Sequence, residues 1–91
     1  MVAAIFEAMM SREQVERLAG LMHEARPTRP EGVVTAALLV EGEAVRLVAF
    51  WRDRETLDAY LATVDVPRGV ELMRKVGCEP DWRIVEALEL G

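Results

Sequence analysis

The sequence has few of the side chains that build hydrolytic and metal sites. Asparagine is absent, and serine, glutamine, histidine and cysteine occur once each among 91 residues. A single histidine and a single cysteine cannot form a zinc site, and one cysteine cannot form an internal disulfide. The sequence also contains neither a phosphate-binding loop nor a dinucleotide-binding glycine motif. We therefore expect no metal ion and no cofactor.

Positive charge is scarce as well. Eleven basic residues stand against 16 acidic ones, which gives a formal net charge of -5, and lysine and arginine form no cluster. Nucleic acids and anionic membranes are bound by basic surfaces, so we expect neither as a partner. No apolar run approaches the roughly 18 residues of a membrane span, and no basic stretch precedes an apolar segment at the N terminus. The expected location is the cytoplasm.

Apolar residues are abundant, at 52% of the chain, and their spacing predicts the first two elements. Residues 2–10 form an apolar stretch that ends where Ser11-Arg12-Glu13-Gln14 makes a capping box, a typical helix start. The stretch before the box is therefore predicted as a strand. Apolar residues spaced by three and four continue the helix as far as Arg26-Pro27, because the residue before a proline disfavours helical geometry.

Two more strands and a second helix follow. Residues 33–40 and 44–51 are rich in β-branched and aromatic side chains and are separated by Glu41-Gly42-Glu43. This pattern predicts a hairpin. Asp53 is a typical N-cap for the second helix, whose apolar side chains extend to Val64.

The last third of the chain completes the predicted order. Residues 65–67 interrupt the second helix, and a third, short helix over 68–76 ends at Gly77, a residue favoured just beyond a helix end. A final strand is predicted over 82–90. The order β-α-β-β-α-β matches a single ferredoxin-like α+β domain over residues 1–91, with a four-stranded antiparallel sheet and helices on one face.

Both faces of the predicted strands are apolar. In residues 33–40 only Thr35 is not apolar, and in residues 2–10 only Glu7 is charged. An antiparallel sheet with one solvated face would alternate apolar and polar residues, and the helices can cover only one face. We therefore expect a homodimer, in which a second copy packs its sheet against the open face and each chain closes half of a barrel.

An aromatic strand end leads into a capped helix in residues 50–61, FWRDRETLDAYL, and Gly77 and Pro80 precede the final strand. With this pattern the chain resembles the dimeric α+β barrel superfamily, and most of all its antibiotic biosynthesis monooxygenase group. The resemblance implies a dimeric α+β barrel. For some members it implies cofactor-independent oxidation of aromatic polyketides by dioxygen, whereas others degrade haem, isomerise small molecules or have no known reaction.

The haem-degrading members use an asparagine on the first strand, a tryptophan on the helix after strand three and an axial histidine shortly downstream. The matching positions here hold Glu7, Tyr60 and Val70, and the only histidine, His23, lies in the first helix. No side chain is then an evident axial ligand for iron. We expect no haem degradation.

Three residues are candidates for catalysis, because cofactor-free oxygenation needs a proton acceptor and donors that stabilise the resulting anion. Glu7 is the candidate base, since burial in an apolar strand would raise the pKa of its carboxyl. Alternatively, Glu7 lies at a solvated rim. Tyr60 could donate a hydrogen bond to an oxyanion, or its ring could only fill the core. Arg46 could bind an anionic substrate, or pair across strands with Glu7 or Glu86.

Trp51 and Trp82 are candidates for substrate binding, since aromatic molecules stack on indole, although tryptophan at a strand end also serves as an anchor. Two functions remain open. The first is a cofactor-independent monooxygenase of an aromatic or polyketide-like compound, with a pocket between sheet and helices lined by Glu7, Arg46, Trp51 and Tyr60. The second is a non-catalytic dimeric barrel that binds a small apolar or aromatic molecule or serves as an assembly module.

Overall fold

The computed structural model describes residues 1–90 as an α+β fold with the predicted order of elements. Its strands are β1 (Val2–Met9), β2 (Val33–Glu41), β3 (Ala44–Trp51) and β4 (Asp81–Glu86). Its helices are α1 (Arg12–Ala25), α2 (Arg54–Leu61) and α3 (Arg68–Lys75), with a short 3-10 turn at Arg26–Thr28. None of these helices is long and apolar enough to cross a membrane.

The four strands form one antiparallel sheet in the order β2-β3-β1-β4. β1 pairs along its whole length with β3, beginning with Val2 opposite Trp51. Successive side chains of a strand point to opposite faces, so one face of the sheet meets the helices. The core on that face includes Leu18, Leu57 and Met73, one from each helix, all almost fully buried. The predicted ferredoxin-like arrangement is confirmed.

The helix boundaries follow the predicted capping residues. The Ser11 hydroxyl accepts a hydrogen bond from the backbone N–H of Gln14 at 3.2 Å, and the Gln14 side-chain oxygen accepts one from the Ser11 N–H at 2.9 Å. Asp53 accepts a hydrogen bond from the N–H of Thr56 at 2.7 Å and so caps α2. Gly77 follows α3 with a φ of 84°, which glycine adopts without a steric penalty. The predicted caps are confirmed.

Two predicted boundaries are wrong. α2 ends at Leu61, and Val64 is exposed in the turn beyond it. The Thr63 N–H and hydroxyl both donate to the carbonyl three residues back, which closes a turn in place of the next helical bond. The last strand ends at Glu86 and not at residue 90, because Glu86 already lies opposite Val2, the first residue of its only neighbouring strand.

Helix α3 lies close to the sheet at Gly69. A Cβ atom at this position would lie 2.6 Å from two ring carbons of Phe6, well inside contact distance. Phe6 also stacks with Trp82 at a centroid distance of 5.8 Å, so its ring is held from more than one side. The distance between α3 and the sheet therefore depends on a residue without a side chain.

The face of the sheet away from the helices, here named the open face, is partly apolar. Alternation along the strands assigns to it the residues Ala3, Ile5, Glu7, Met9, Thr35, Ala37, Leu39, Glu41, Ala44, Arg46, Val48, Phe50, Asp81, Arg83 and Val85. Several of its apolar side chains remain in solvent, with Leu39 50% and Met9 65% exposed. Among residues 1–90, no helix covers this face.

Glu7 forms salt bridges with two arginines on the open face, Arg46 and Arg83. The Glu7 Oε1 atom lies 2.6 Å from Arg83 Nη1 and 3.5 Å from Arg46 Nε. The hydrogen bond from Arg83 lowers the pKa of the Glu7 carboxyl, burial opposes this effect, and the charges of both arginines add to it. The predicted rise of the Glu7 pKa is therefore wrong, and the alternative of an Arg46–Glu7 pair across strands is confirmed.

Two glycine substitutions test the close packing of α3. We expect Gly69→Ala to lower the free energy of unfolding by about 1–3 kcal/mol, because the new methyl group must displace the Phe6 ring. Gly20→Ala is the matched control, since it adds the same methyl group to a helix where no atom lies within 4 Å. It should stabilise the protein by up to about 1 kcal/mol. Urea denaturation measures both, and changes of the same sign would contradict the packing argument.

The charged group on the open face predicts a pH dependence. A carboxyl whose pKa is lowered by folding stabilises the folded state above its unfolded pKa, near 4.5, and loses this contribution as the pH falls through the lowered value. Glu7→Gln should therefore lower the free energy of unfolding at neutral pH, and the difference from wild type should shrink on acidification below about pH 4.5.

The control for this experiment is Glu41→Gln, which removes an exposed carboxylate of β2 that forms no salt bridge within residues 1–90. Urea denaturation at each pH, at one fixed protein concentration, gives the comparison. A difference between wild type and Glu7→Gln that stayed constant with pH would contradict the ion-pair assignment.

Candidate functional site

A cavity of about 300 Å³ lies between the helices and the helix-facing side of the sheet. This volume is at the lower end of the range for small-molecule sites. Its floor is a row of three alanines, Ala4, Ala49 and Ala36, which the strand register places side by side on β1, β3 and β2. Larger side chains, such as Leu47 and Trp51, occupy the rows on either side of it. The space exists because three small residues share one row.

Aromatic side chains form part of the cavity wall. Trp51 is buried and contacts the ring of Tyr60 at a centroid distance of 5.1 Å, with the two planes tilted by 33°. Trp82 also lines the cavity, from the edge strand β4, and is 41% exposed. The structure thus brings together the three aromatic residues that the sequence predicted for a pocket.

The hydroxyl of Tyr60 is oriented by the start of helix α3. Its oxygen accepts a hydrogen bond from the backbone N–H of Arg68 at 2.9 Å. Among residues 1–90, no acceptor for the hydroxyl proton lies within hydrogen-bond distance. A tyrosine hydroxyl can donate one hydrogen bond while it accepts another. Within residues 1–90, Tyr60 therefore lines the cavity with a hydroxyl donor that is free.

The charged side chains around the cavity are all basic within the described part of the chain. Arg26, Arg29 and Arg68, named here the cavity arginines, line it together with His23. No aspartate or glutamate of residues 1–90 lines it, although the chain carries 16 acidic residues. The local charge is therefore opposite in sign to that of the whole protein.

Arg68 also connects two segments at the cavity wall. Its Nη1 atom donates to the carbonyl of Ala25 at 3.3 Å and to the hydroxyl of Thr28 at 3.2 Å. These bonds tie the first residue of α3 to the turn that follows α1. The same arginine thus holds Tyr60 through its backbone and the turn through its side chain.

Glu7 and Arg46 are not part of this cavity. Both lie on the open face, on the other side of the sheet. There they line a second, mainly polar depression of about 450 Å³ with Glu79 and Asp81. The prediction that they surround one pocket with Trp51 and Tyr60 is wrong about their position, because alternation along β1 and β3 turns these side chains away from the helices.

The sequence did not predict the cavity arginines or the alanine row as parts of a site. Only Arg68 had a feature in the sequence that could have identified it as a site residue. It follows Pro67 at the first position of α3, where its positive charge lies unfavourably near the positive end of the helix dipole. The alanines carried no such signal, because they lie in three separate strands. Within the described residues, no group of three His, Cys, Asp or Glu side chains could hold a metal ion.

The comparisons with known sequences found no match, either to a family model or to a curated protein. Solved structures do match. SnoaB, a cofactor-independent oxygenase from Streptomyces nogalater, is 16% identical, and the superposition covers 98% of this chain and 94% of SnoaB with a TM-score of 0.67. The monooxygenase from the gene ActVA-Orf6 of Streptomyces coelicolor, solved with the ligand Nanaomycin D, is 15% identical, with 98% and 88% coverage and a TM-score of 0.70.

A candidate antibiotic biosynthesis monooxygenase from Deinococcus radiodurans gives a similar result, with 18% identity, 99% and 95% coverage and a TM-score of 0.67. At such identities the likeness concerns the fold. It extends over nearly the whole of each chain, so the predicted resemblance is confirmed at this level. The chain has the α+β fold of the antibiotic biosynthesis monooxygenase structures.

Proposed function

We propose that this protein is a cofactor-independent monooxygenase that acts on a small aromatic or polyketide-like molecule in the cavity between sheet and helices. The observation that carries the proposal is Tyr60, which lines an apolar cavity beside Trp51 and whose hydroxyl keeps a free donor within residues 1–90. The shared fold with SnoaB and the ActVA-Orf6 monooxygenase supports the same reaction class.

The reaction needs no cofactor when the substrate itself supplies the electrons. In the proposed step an activated CH₂ group of the substrate is converted to C=O by one molecule of O₂, with release of one molecule of water. Loss of a proton from the CH₂ group to water gives an enolate, and electron transfer from the enolate to O₂ forms a C–O bond. The resulting peroxide takes up a proton, and elimination of water breaks the O–O bond and leaves C=O. The protein has to favour this anion over the neutral substrate.

Tyr60 is suited to stabilise the enolate oxygen. Because the Tyr60 oxygen accepts a hydrogen bond from the Arg68 N–H, the hydroxyl is polarised and becomes a stronger donor. The positive charge of the cavity arginines favours the same anion. No carboxylate of residues 1–90 lines the cavity, and Glu7 and Arg46 lie on the open face. We therefore assign the stabilisation of the enolate oxygen to Tyr60.

The proposal extends to a homodimer in which a second copy covers the open face. Apolar side chains there, including Leu39 and Met9, are left in solvent in the single chain. Exposed apolar side chains gathered on one face of a sheet favour a protein interface. The second copy is the favoured occupant because the family resemblance implies a barrel closed by two sheets.

The role of Tyr60 is tested by oxygen uptake with anthrone as the substrate. The wild-type protein should consume O₂ faster than a sample without protein, and Tyr60→Phe should lower kcat about 100-fold, since it removes one donor to the developing oxyanion and keeps the ring. An oxygen electrode measures both rates.

A second variant separates the hydroxyl from the cavity. Ala49→Leu fills the floor with a larger side chain and should abolish oxygen uptake while Tyr60 stays intact. Equal rates for wild type and Tyr60→Phe would remove Tyr60 from the mechanism. Wild-type uptake no faster than the protein-free rate would contradict the enzyme and favour the alternative, a non-catalytic barrel that binds a small molecule.

The dimer is tested by light scattering at micromolar protein concentration. The wild-type protein should have twice the mass of one chain, and Leu39→Glu should yield monomers because it places a charge in the proposed interface. Val40→Glu is the matched control, since Val40 is the next residue of the same exposed strand and points to the opposite face. A wild-type monomer would contradict the proposed interface.

A further inference from the structure

The pairing of arginines in this protein is uneven. Most arginines form a salt bridge with a carboxylate. These are Arg12, Arg46, Arg52, Arg54, Arg74 and Arg83. The others within residues 1–90 are Arg17, which donates to the carbonyl of Lys75, and the three cavity arginines. The arginines without a carboxylate partner are thus concentrated at one cavity of an acidic protein.

Two of the cavity arginines are also partly withdrawn from water. Arg29 and Arg68 are half-buried, whereas Arg26 is exposed. A guanidinium that loses part of its hydration without a counter-ion is destabilised. The chain has 16 acidic residues, and a carboxylate beside an arginine commonly compensates for such lost hydration. The missing negative charge is the feature that a ligand could supply.

We infer that the cavity binds an anionic ligand, a flat apolar or aromatic ring system that carries a carboxylate or an ionised enol, with its negative charge at Arg29 and Arg68. This inference rests on the proposed function and narrows its substrate class. The guanidinium group presents forked donors that match a carboxylate, and its charge does not change at neutral pH.

The geometry separates the two parts of the ligand. The alanine floor and Trp51 offer an apolar surface to the rings. Arg68 is already held by bonds from its Nη1 atom to Ala25 and Thr28, which leaves its other guanidinium nitrogens for a ligand and lowers the entropy cost of ordering the side chain. The Tyr60 hydroxyl lies beside the Arg68 backbone and adds a further donor.

The test compares two probes of nearly equal shape, 2-naphthoate and the neutral 2-naphthamide, by isothermal titration calorimetry of the full chain. The naphthoate should bind at least tenfold more tightly than the amide. Added salt should weaken the binding of naphthoate and leave that of the amide nearly unchanged, because screening acts on the charged pair only.

The variant Arg29→Gln should weaken naphthoate binding about fivefold and leave amide binding unchanged. Arg29 makes no side-chain hydrogen bond or salt bridge within residues 1–90, so this variant keeps the interactions that hold the cavity wall. Arg12→Gln removes the same charge from an exposed site on α1 and should leave both affinities unchanged. Circular dichroism confirms the fold of each variant.

Equal affinities for naphthoate and naphthamide, or no effect of Arg29→Gln on naphthoate, would overturn the inference. The absence of binding by both probes would overturn it as well. These outcomes are distinguishable from failure of the proposed function, because oxygen uptake with anthrone reports on the reaction with a probe that carries no carboxylate.

Discussion

The antiparallel register of β1, β3 and β2 is the constraint on which the rest of the structure depends. It brings Ala4, Ala49 and Ala36 into one row under the helices, and this row is the floor of the cavity. The same register turns Glu7 and Arg46 to the open face, where they pair. A shift of one residue in any of these strands would exchange its two faces, and a shift of β1 would bury the Glu7 carboxylate beneath the helices.

The helices form the rest of the cavity wall above the alanine row. α3 comes close enough to the sheet to hold Phe6, because Gly69 has no side chain, and its first residue supplies the N–H that orients Tyr60. The break between α2 and α3 therefore has a consequence for the site. It places the start of a helix, a tyrosine hydroxyl and an arginine at one end of an apolar space.

Charge divides the molecule into two regions. On the open face a carboxylate lies between two arginines, and its lowered pKa reflects this neutralising contact. At the cavity the arginines have no carboxylate partner within the described residues, and a free hydroxyl donor lies beside them. The first arrangement stabilises the sheet, whereas the second is suited to stabilise an anion that forms or binds there.

The fold could be predicted largely from local signals. The capping box at Ser11, the cap at Asp53 and the glycine after α3 each act within a few residues, so they identify helix boundaries without knowledge of the tertiary structure. The end of β4 could not be predicted in this way, because a strand ends where its neighbour ends.

The candidate site was predictable only in part, because its cavity depends on pairing between strands and not on local sequence. Tyr60, Trp51 and Trp82 were identified by residue type, since few aromatic side chains occur in the chain. The alanine floor depends on pairing between distant residues, since Ala49 lies 45 positions after Ala4 and 13 positions after Ala36. A bulge between Val33 and Thr35 also shifts the register of β2. No local pattern encodes such a row.

The central claim is that the space above the alanine row is the ligand site. The most direct measurement is a crystal structure of the protein soaked with 2-naphthoate. We expect electron density for the rings over Ala4, Ala36 and Ala49, with the carboxylate toward Arg68. Density for the probe only on the open face, or an empty cavity in a crystal saturated with the probe, would contradict it.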